Sequence, residues 1–106
     1  METKELIERG GKTLEVTVTY NIGGMNYFQG VSEKRGYYLS VTPVEITKSA
    51  DGRTQSRRYT AFSGTKILLN EVKRQSNKEF ERAKVLAEQE KEKLIKHVMQ
   101  KNNIKE

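Results

Sequence analysis

Gly36–Thr47, GYYLSVTPVEIT, is the most β-prone run in the chain and its densest cluster of aromatic and branched residues. Read with a period of two, Tyr37, Leu39 and Val41 point one way and Tyr38, Ser40 and Thr42 the other, the alternation of a strand with one buried face. Past Pro43 the apolar residues are Val44 and Ile46, and their parity has changed. Proline cannot donate to a ladder, so Thr42-Pro43 is expected to be a bulge or an edge position that re-aims the strand.

Upstream, Thr13–Tyr20 (TLEVTVTY) is the cleanest strand. Leu14, Val16, Val18 and Tyr20 form a core face, and Thr13, Glu15, Thr17 and Thr19 a wet one. Thr3–Arg9 reads equally as a short strand or a helical turn, but Gly10-Gly11 marks a two-residue hairpin loop that sets Ile7 opposite Leu14. Asn21–Gly36 holds four glycines and no clear period, with Met25–Gln29 as a short extended piece. Downstream, Lys48–Gly52 (KSADG) is a turn that returns the chain into Arg53–Phe62, with Tyr59 and Ala61 on one face and Arg58, Thr60 and Phe62 on the other.

From Ser63 onward the pattern changes to helix. Ile67, Leu68, Leu69 and Val72 recur at three- and four-residue spacing and predict a helix over Lys66–Arg74, capped by Ser63 or Thr65. Ser76-Asn77-Lys78-Glu79 then fits a capping box, which starts a separate helix from about Asn77 to Lys101, about 37 Å long at ~1.5 Å per residue. Its apolar stripe of Phe80, Ala83, Ala87, Leu94 and Val98, flanked by Leu86 and Ile95, is interrupted by Glu88–Lys93. The fold expected is α+β in one domain, residues 1–106. A three- or four-stranded antiparallel meander in 1–62 is covered on one face by two C-terminal helices in 63–106.

Composition narrows the chemistry. The 106 residues are 34% hydrophobic and 32% charged, which gives a lean core under a densely charged surface. With no cysteine, thiol catalysis, disulfides and zinc-thiolate sites are excluded, and the single histidine, His97, cannot alone supply a triad or a histidine metal site. Neither a cofactor motif nor a catalytic set is present, so a non-enzymatic protein is expected. No apolar run reaches the ~20 residues that span a bilayer, and METKELIERGGK lacks the apolar segment of a signal peptide, so a cytoplasmic protein is expected. The net charge is +6, with nine Lys/Arg against seven Asp/Glu over residues 1–62 and eleven against seven over 63–106. Such a surplus favours an acidic partner, nucleic acid first.

Basic residues interleave with aromatics in Lys34-Arg35-Gly36-Tyr37-Tyr38 and Arg57-Arg58-Tyr59. Aromatic faces stack bases while arginines neutralise phosphates. A single-stranded nucleic-acid site is therefore expected on Arg35, Tyr38, Arg57 and Arg58, supported by Lys73, Arg74 and Lys84. The competing structural reading puts Tyr37 and Tyr59 in the core and Tyr38 and Phe62 over a sheet edge. A second candidate is a protein-interaction surface made of Met25, Tyr27 and Phe28 with Leu94, Ile95, Val98 and Met99, as in a small inhibitor or binding module. The Leu94–Met99 patch has three destinations: a twofold homodimer through the same helix, the first-strand residues Leu6 and Ile7, or a frayed end. Size, charge and the missing catalytic set fit an accessory protein of the kind found in phage and mobile elements.

Overall fold

The Gly36–Lys48 stretch folds as one 13-residue strand with other strands paired along both of its edges. The structure is a computed structural model that describes residues 2–26, 31–48, 55–59 and 64–105, with the backbone alone for 25–26, 31–32, 46–48 and 55–59. Its elements are β1 (Thr3–Arg9), β2 (Lys12–Asn21), β3 (Gly24–Asn26), β4 (Val31–Glu33), β5 (Gly36–Lys48), β6 (Gln55–Tyr59), β7 (Thr65–Glu71) and α1 (Asn77–Lys101). The fold is α+β, an antiparallel sheet with one C-terminal helix on one face. Five strands fill four positions, β1-β2-β5 and then a shared place beside β5 that β7 takes along its first half and β6 along its second. β3 and β4 form a separate two-stranded arm inserted between β2 and β5.

The first hairpin has the register that its sequence predicts, with Arg9 opposite Lys12 and Ile7 opposite Leu14. Gly10 and Gly11 both take positive φ, 58° and 75°, the turn that matches strand twist. Across β2 and β5 the pairs Val16–Val41, Val18–Leu39 and Tyr20–Tyr37 line one face. Leu14, Leu39 and Val41 are fully buried there. Pro43 stays within β5, opposite Leu14, between the last β7 pair at Val41 and the first β6 pair at Val44. A residue with no N–H thus stands where the second ladder changes hands. The register shift lies instead between Tyr37 and Tyr38, where Leu69 is the extra residue on β7.

The helix expected over Lys66–Arg74 is a strand, so α1 is the one helix among the described residues. ILL and its neighbours satisfy both periods over so short a run. The free ladder edge of β5 decides the matter, because its N–H and C=O groups need partners. As a strand, Ile67 and Leu69 turn to the core while Leu68 turns outward, 36% exposed. The Lys48–Gly52 turn lies mostly outside the described residues, as do Thr60, Ala61 and Phe62.

The last helix has its predicted bounds. Ser76 Oγ accepts from Glu79 N at 3.1 Å, while the Glu79 carboxylate accepts from Asn70 Nδ2 at 3.1 Å and so ties the helix start to β7. At the other end Asn103 (φ 57°) closes the helix, with Ile104 N donating to Met99 O at 2.8 Å and Asn103 N to Gln100 O at 3.2 Å. Leu94, Ile95, Val98 and Met99 are buried with the inner face of the sheet in one core. This patch of α1 thus packs on the chain's own sheet. Thirteen residues of β5 at ~3.3 Å each reach about 43 Å, and so the sheet is as long as the helix. The long dimension of the molecule, 45 Å, agrees.

Two ion pairs tie the edge strand β1 to α1. Arg9 grips Glu92 through both nitrogens at 2.7 and 3.2 Å, and Lys91 Nζ reaches Glu5 at 2.8 Å. The hydrogen bond from Arg9 holds the Glu92 carboxyl below its ordinary range, and the one that Lys91 donates to Glu5 holds the Lys91 ammonium above its own. The Glu92 contribution is present at neutral pH and lost as pH falls below ~4.3 through the lowered value, and the Lys91 contribution is lost as pH rises past ~10.4 through the raised one. The urea midpoints of wild type and Glu92→Gln should therefore differ at pH 7 and draw together as pH falls below ~4.3, and a gap that stays constant into acid would refute the tie.

Residues after α1 return to the first hairpin, where a Cβ on Gly10 would meet the Lys105 carbonyl oxygen and lie 3.0 Å from Ile104 Cγ2. Gly11 has open space around the same position. Alanine at Gly11 should cost about 1 kcal/mol for its backbone alone, and alanine at Gly10 about 2–3 kcal/mol, read from urea midpoints. Equal losses would mean that the tail does not press on the turn.

Candidate functional site

With α1 covering the inner face, the outer face of the sheet is built from the polar half of each strand's alternation. Thr17 stands opposite Ser40 and Glu15 opposite Thr42. The face expected to be wet is not bare: Glu15, Tyr38 and Val44 are buried on it, at 5%, 8% and 4% exposure. Between the β5–β7 half of this face and the end of α1 runs a cleft of about 740 Å³. Ser40 and Thr42 form its floor, their hydroxyl oxygens 3.5 Å apart.

Lysines stand around that floor. Lys66 on β7 lies over the Tyr38 ring, 5.3 Å from its centre, and pairs with Glu33 of the arm at 2.8 Å. Lys101 closes the far end and donates to Thr65 Oγ1 at 3.4 Å. Lys34 borders the near end, with Glu71 at 3.8 Å in an exposed pair that holds little. The lining carries three ammonium groups against one carboxylate, Glu33. Such a surface attracts anions and offers hydroxyl and ammonium donors to their oxygens.

The residues singled out from sequence are distributed unequally. Tyr38 is in the cleft wall, but its ring is covered and its hydroxyl donates to Lys34 O at 2.7 Å. Arg35 is exposed, and its Nε donates to Ile22 O at 2.9 Å and its Nη1 to Lys73 O at 3.4 Å. Tyr20 donates to the same Lys73 carbonyl at 3.0 Å, and its ring meets Tyr37 edge-on at 5.3 Å. Arg35, Lys73 and Arg74 thus gather where the β4–β5 turn meets the β7–α1 connection. Arg57 stands opposite Ile46 and Arg58 opposite Glu45 in the ladder, so the backbone position of Arg58 does not share the alternation of Tyr38 along β5. Lys84 lies in the helix layer, over the Phe80 ring and paired with Glu81 at 2.8 Å, across the sheet from Tyr38.

For the second candidate, Met25 is a backbone position of β3 and Tyr27 and Phe28 lie outside the described residues. The helix half of that candidate is core. Lys34, Lys66, Lys101 and the hydroxyl pair were not anticipated. Ser40 and Thr42 share the period of Tyr38 and were legible with it, whereas Lys66 was hidden by reading 65–71 as helix.

Among the described residues no group of three or more His, Asp or Glu side chains is placed to hold a metal ion, and no helix is long and apolar enough to cross a membrane. Two smaller recesses of about 320 Å³ flank α1, one floored by Val16, Val18, Leu39 and Ala87, the other beside Ile67, Leu94 and His97. No protein-family model matches the chain, and no curated protein or solved structure matches it.

The Arg35 bonds join two backbone corners, so its truncation should act on stability. Arg35→Ala should lower the unfolding free energy by about 1 kcal/mol, and an unchanged urea midpoint would show that the corner holds without it.

Proposed function

We propose that this chain is a small, non-enzymatic, cytoplasmic accessory protein that binds single-stranded nucleic acid along the outer face of its sheet. The observation that supports this is the cleft, where Lys34, Lys66 and Lys101 surround the hydroxyls of Ser40 and Thr42 in a chain of net charge +6. Ammonium groups neutralise phosphates and release their counterions, and hydroxyls donate to phosphate oxygens. Tyr38, under Lys66, offers no free ring for a base, so contacts go to the backbone and carry little sequence preference. Arg57 on β6 and the Arg35, Lys73 and Arg74 corner extend the basic track, and Lys84 faces away from it.

A second reading, a protein-interaction module, has one observation in its favour. The β3–β4 arm stands apart from the main sheet, and Ile22 at its root is 70% exposed.

Anisotropy of labelled single-stranded and duplex oligonucleotides, titrated across ~50 to 200 mM salt, tests the first reading. Lys66→Gln/Lys101→Gln should weaken binding about tenfold at the low-salt end and flatten the salt slope by about 1.4, two single-strand phosphates' worth. Absence of wild-type binding at ~50 mM salt would remove the reading and leave the arm as the surface to test.

A further inference from the structure

Glu33 is the one carboxylate in the lining of a cleft otherwise bordered by lysines. Its Oε1 lies 2.8 Å from Lys66 Nζ, and its Oε2 accepts from Asn21 Nδ2 at 3.1 Å. The side chain is 21% exposed, against 43% for Lys66, so the acid is the more enclosed partner. It comes from the arm rather than from the sheet, and reaches over the outer face to the ammonium group above Tyr38. A carboxylate and a phosphate present similar oxygens to an ammonium donor.

We propose that Glu33 is an internal stand-in for a backbone phosphate: it occupies Lys66 in the free protein, and a bound strand must displace it. This rests on the nucleic-acid reading of the cleft and adds its regulation. Of the cleft lysines, Lys101 is held in the free protein by a hydroxyl, Thr65 Oγ1, with no carboxylate partner among the described residues. An incoming phosphate therefore meets Lys101 first and Lys66 only after Glu33 has swung away, carrying the root of the arm with it. A half-exposed ion pair holds weakly enough for this exchange. Binding then couples the cleft to the position of the β3–β4 arm.

The substitution Glu33→Gln separates this role from simple anchoring, because the amide keeps the shape of the carboxylate and one acceptor oxygen for Asn21 or Lys66 but carries no charge. Glu81→Gln makes the same change in net charge on a helix carboxylate whose partner, Lys84, lies across the sheet from the cleft. Glu33→Gln should tighten single-strand binding about three- to tenfold at ~50 mM salt and steepen the salt slope by about 0.7, one more phosphate, while Glu81→Gln changes little. The urea midpoint of each variant reports whether it folds. Should Glu33→Gln fail to fold, single substitutions decide the point: Lys101→Gln should cost more affinity than Lys66→Gln, and equal costs would overturn the stand-in role. Binding by wild type that Glu33→Gln leaves unchanged or weakens removes the role of Glu33 and spares the proposed function. Absence of binding by both wild type and Glu33→Gln removes the two together.

Discussion

A strand of 13 residues exposes ladder groups on both edges, and meeting that demand for β5 organises this molecule. β2 satisfies one edge from Gly36 to Val44, but no other single strand runs the length of the opposite edge. It is shared between β7, paired from Gly36 to Val41, and β6, paired from Val44 to Lys48. Pro43 falls at the junction. There a missing N–H costs least, so the one proline of the chain marks the place where two strands can meet along a third.

From this follows the length of the core. Because β5 and β2 are long, the inner face has room for the whole of α1, from Phe80 beside Tyr37 to Val98 and Met99. The break in the apolar stripe at Glu88–Lys93 then has a structural use: Lys91 and Glu92 point to the edge strand and pair with Glu5 and Arg9. Charges that interrupt the apolar stripe hold β1 in place. Beyond the helix the Asn103 turn sends Ile104 to the Gly10 turn, so the residues after α1 close on the first hairpin.

Local signals were legible wherever one interpretation had no rival. Gly10-Gly11 fixed a hairpin register, TLEVTVTY fixed a face, and Ser76-x-x-Glu79 fixed a helix start to the residue. Residues 65–71 were not legible, because Ile67, Leu68 and Leu69 suit a helix as well as a strand and what decides between them is a free edge some 30 residues earlier. That misreading also hid the site. Lys66 faces outward only as a strand residue opposite Ser40, and Lys101 joins it only because α1 runs the full length of the sheet. Tyr38 was found for its ring, yet its ring is covered and its place in the cleft wall is what matters.

The outer face shows how a sheet covered on one side can remain stable while offering a polar surface. Threonine and serine at Thr13, Thr17, Thr19, Ser40 and Thr42 keep hydroxyls toward the open side, and the branched threonines also suit the pleat. Buried Tyr38 and Val44 add apolar cover at two points, and Glu15 and Glu33 bring acid into a face that the lysines would otherwise charge too strongly. A purely apolar outer face would invite pairing with other sheets, and a purely basic one would repel itself. Hydroxyls with balanced charge avoid both, and they leave a lysine-bordered cleft in which one internal carboxylate sets the threshold for an incoming anion.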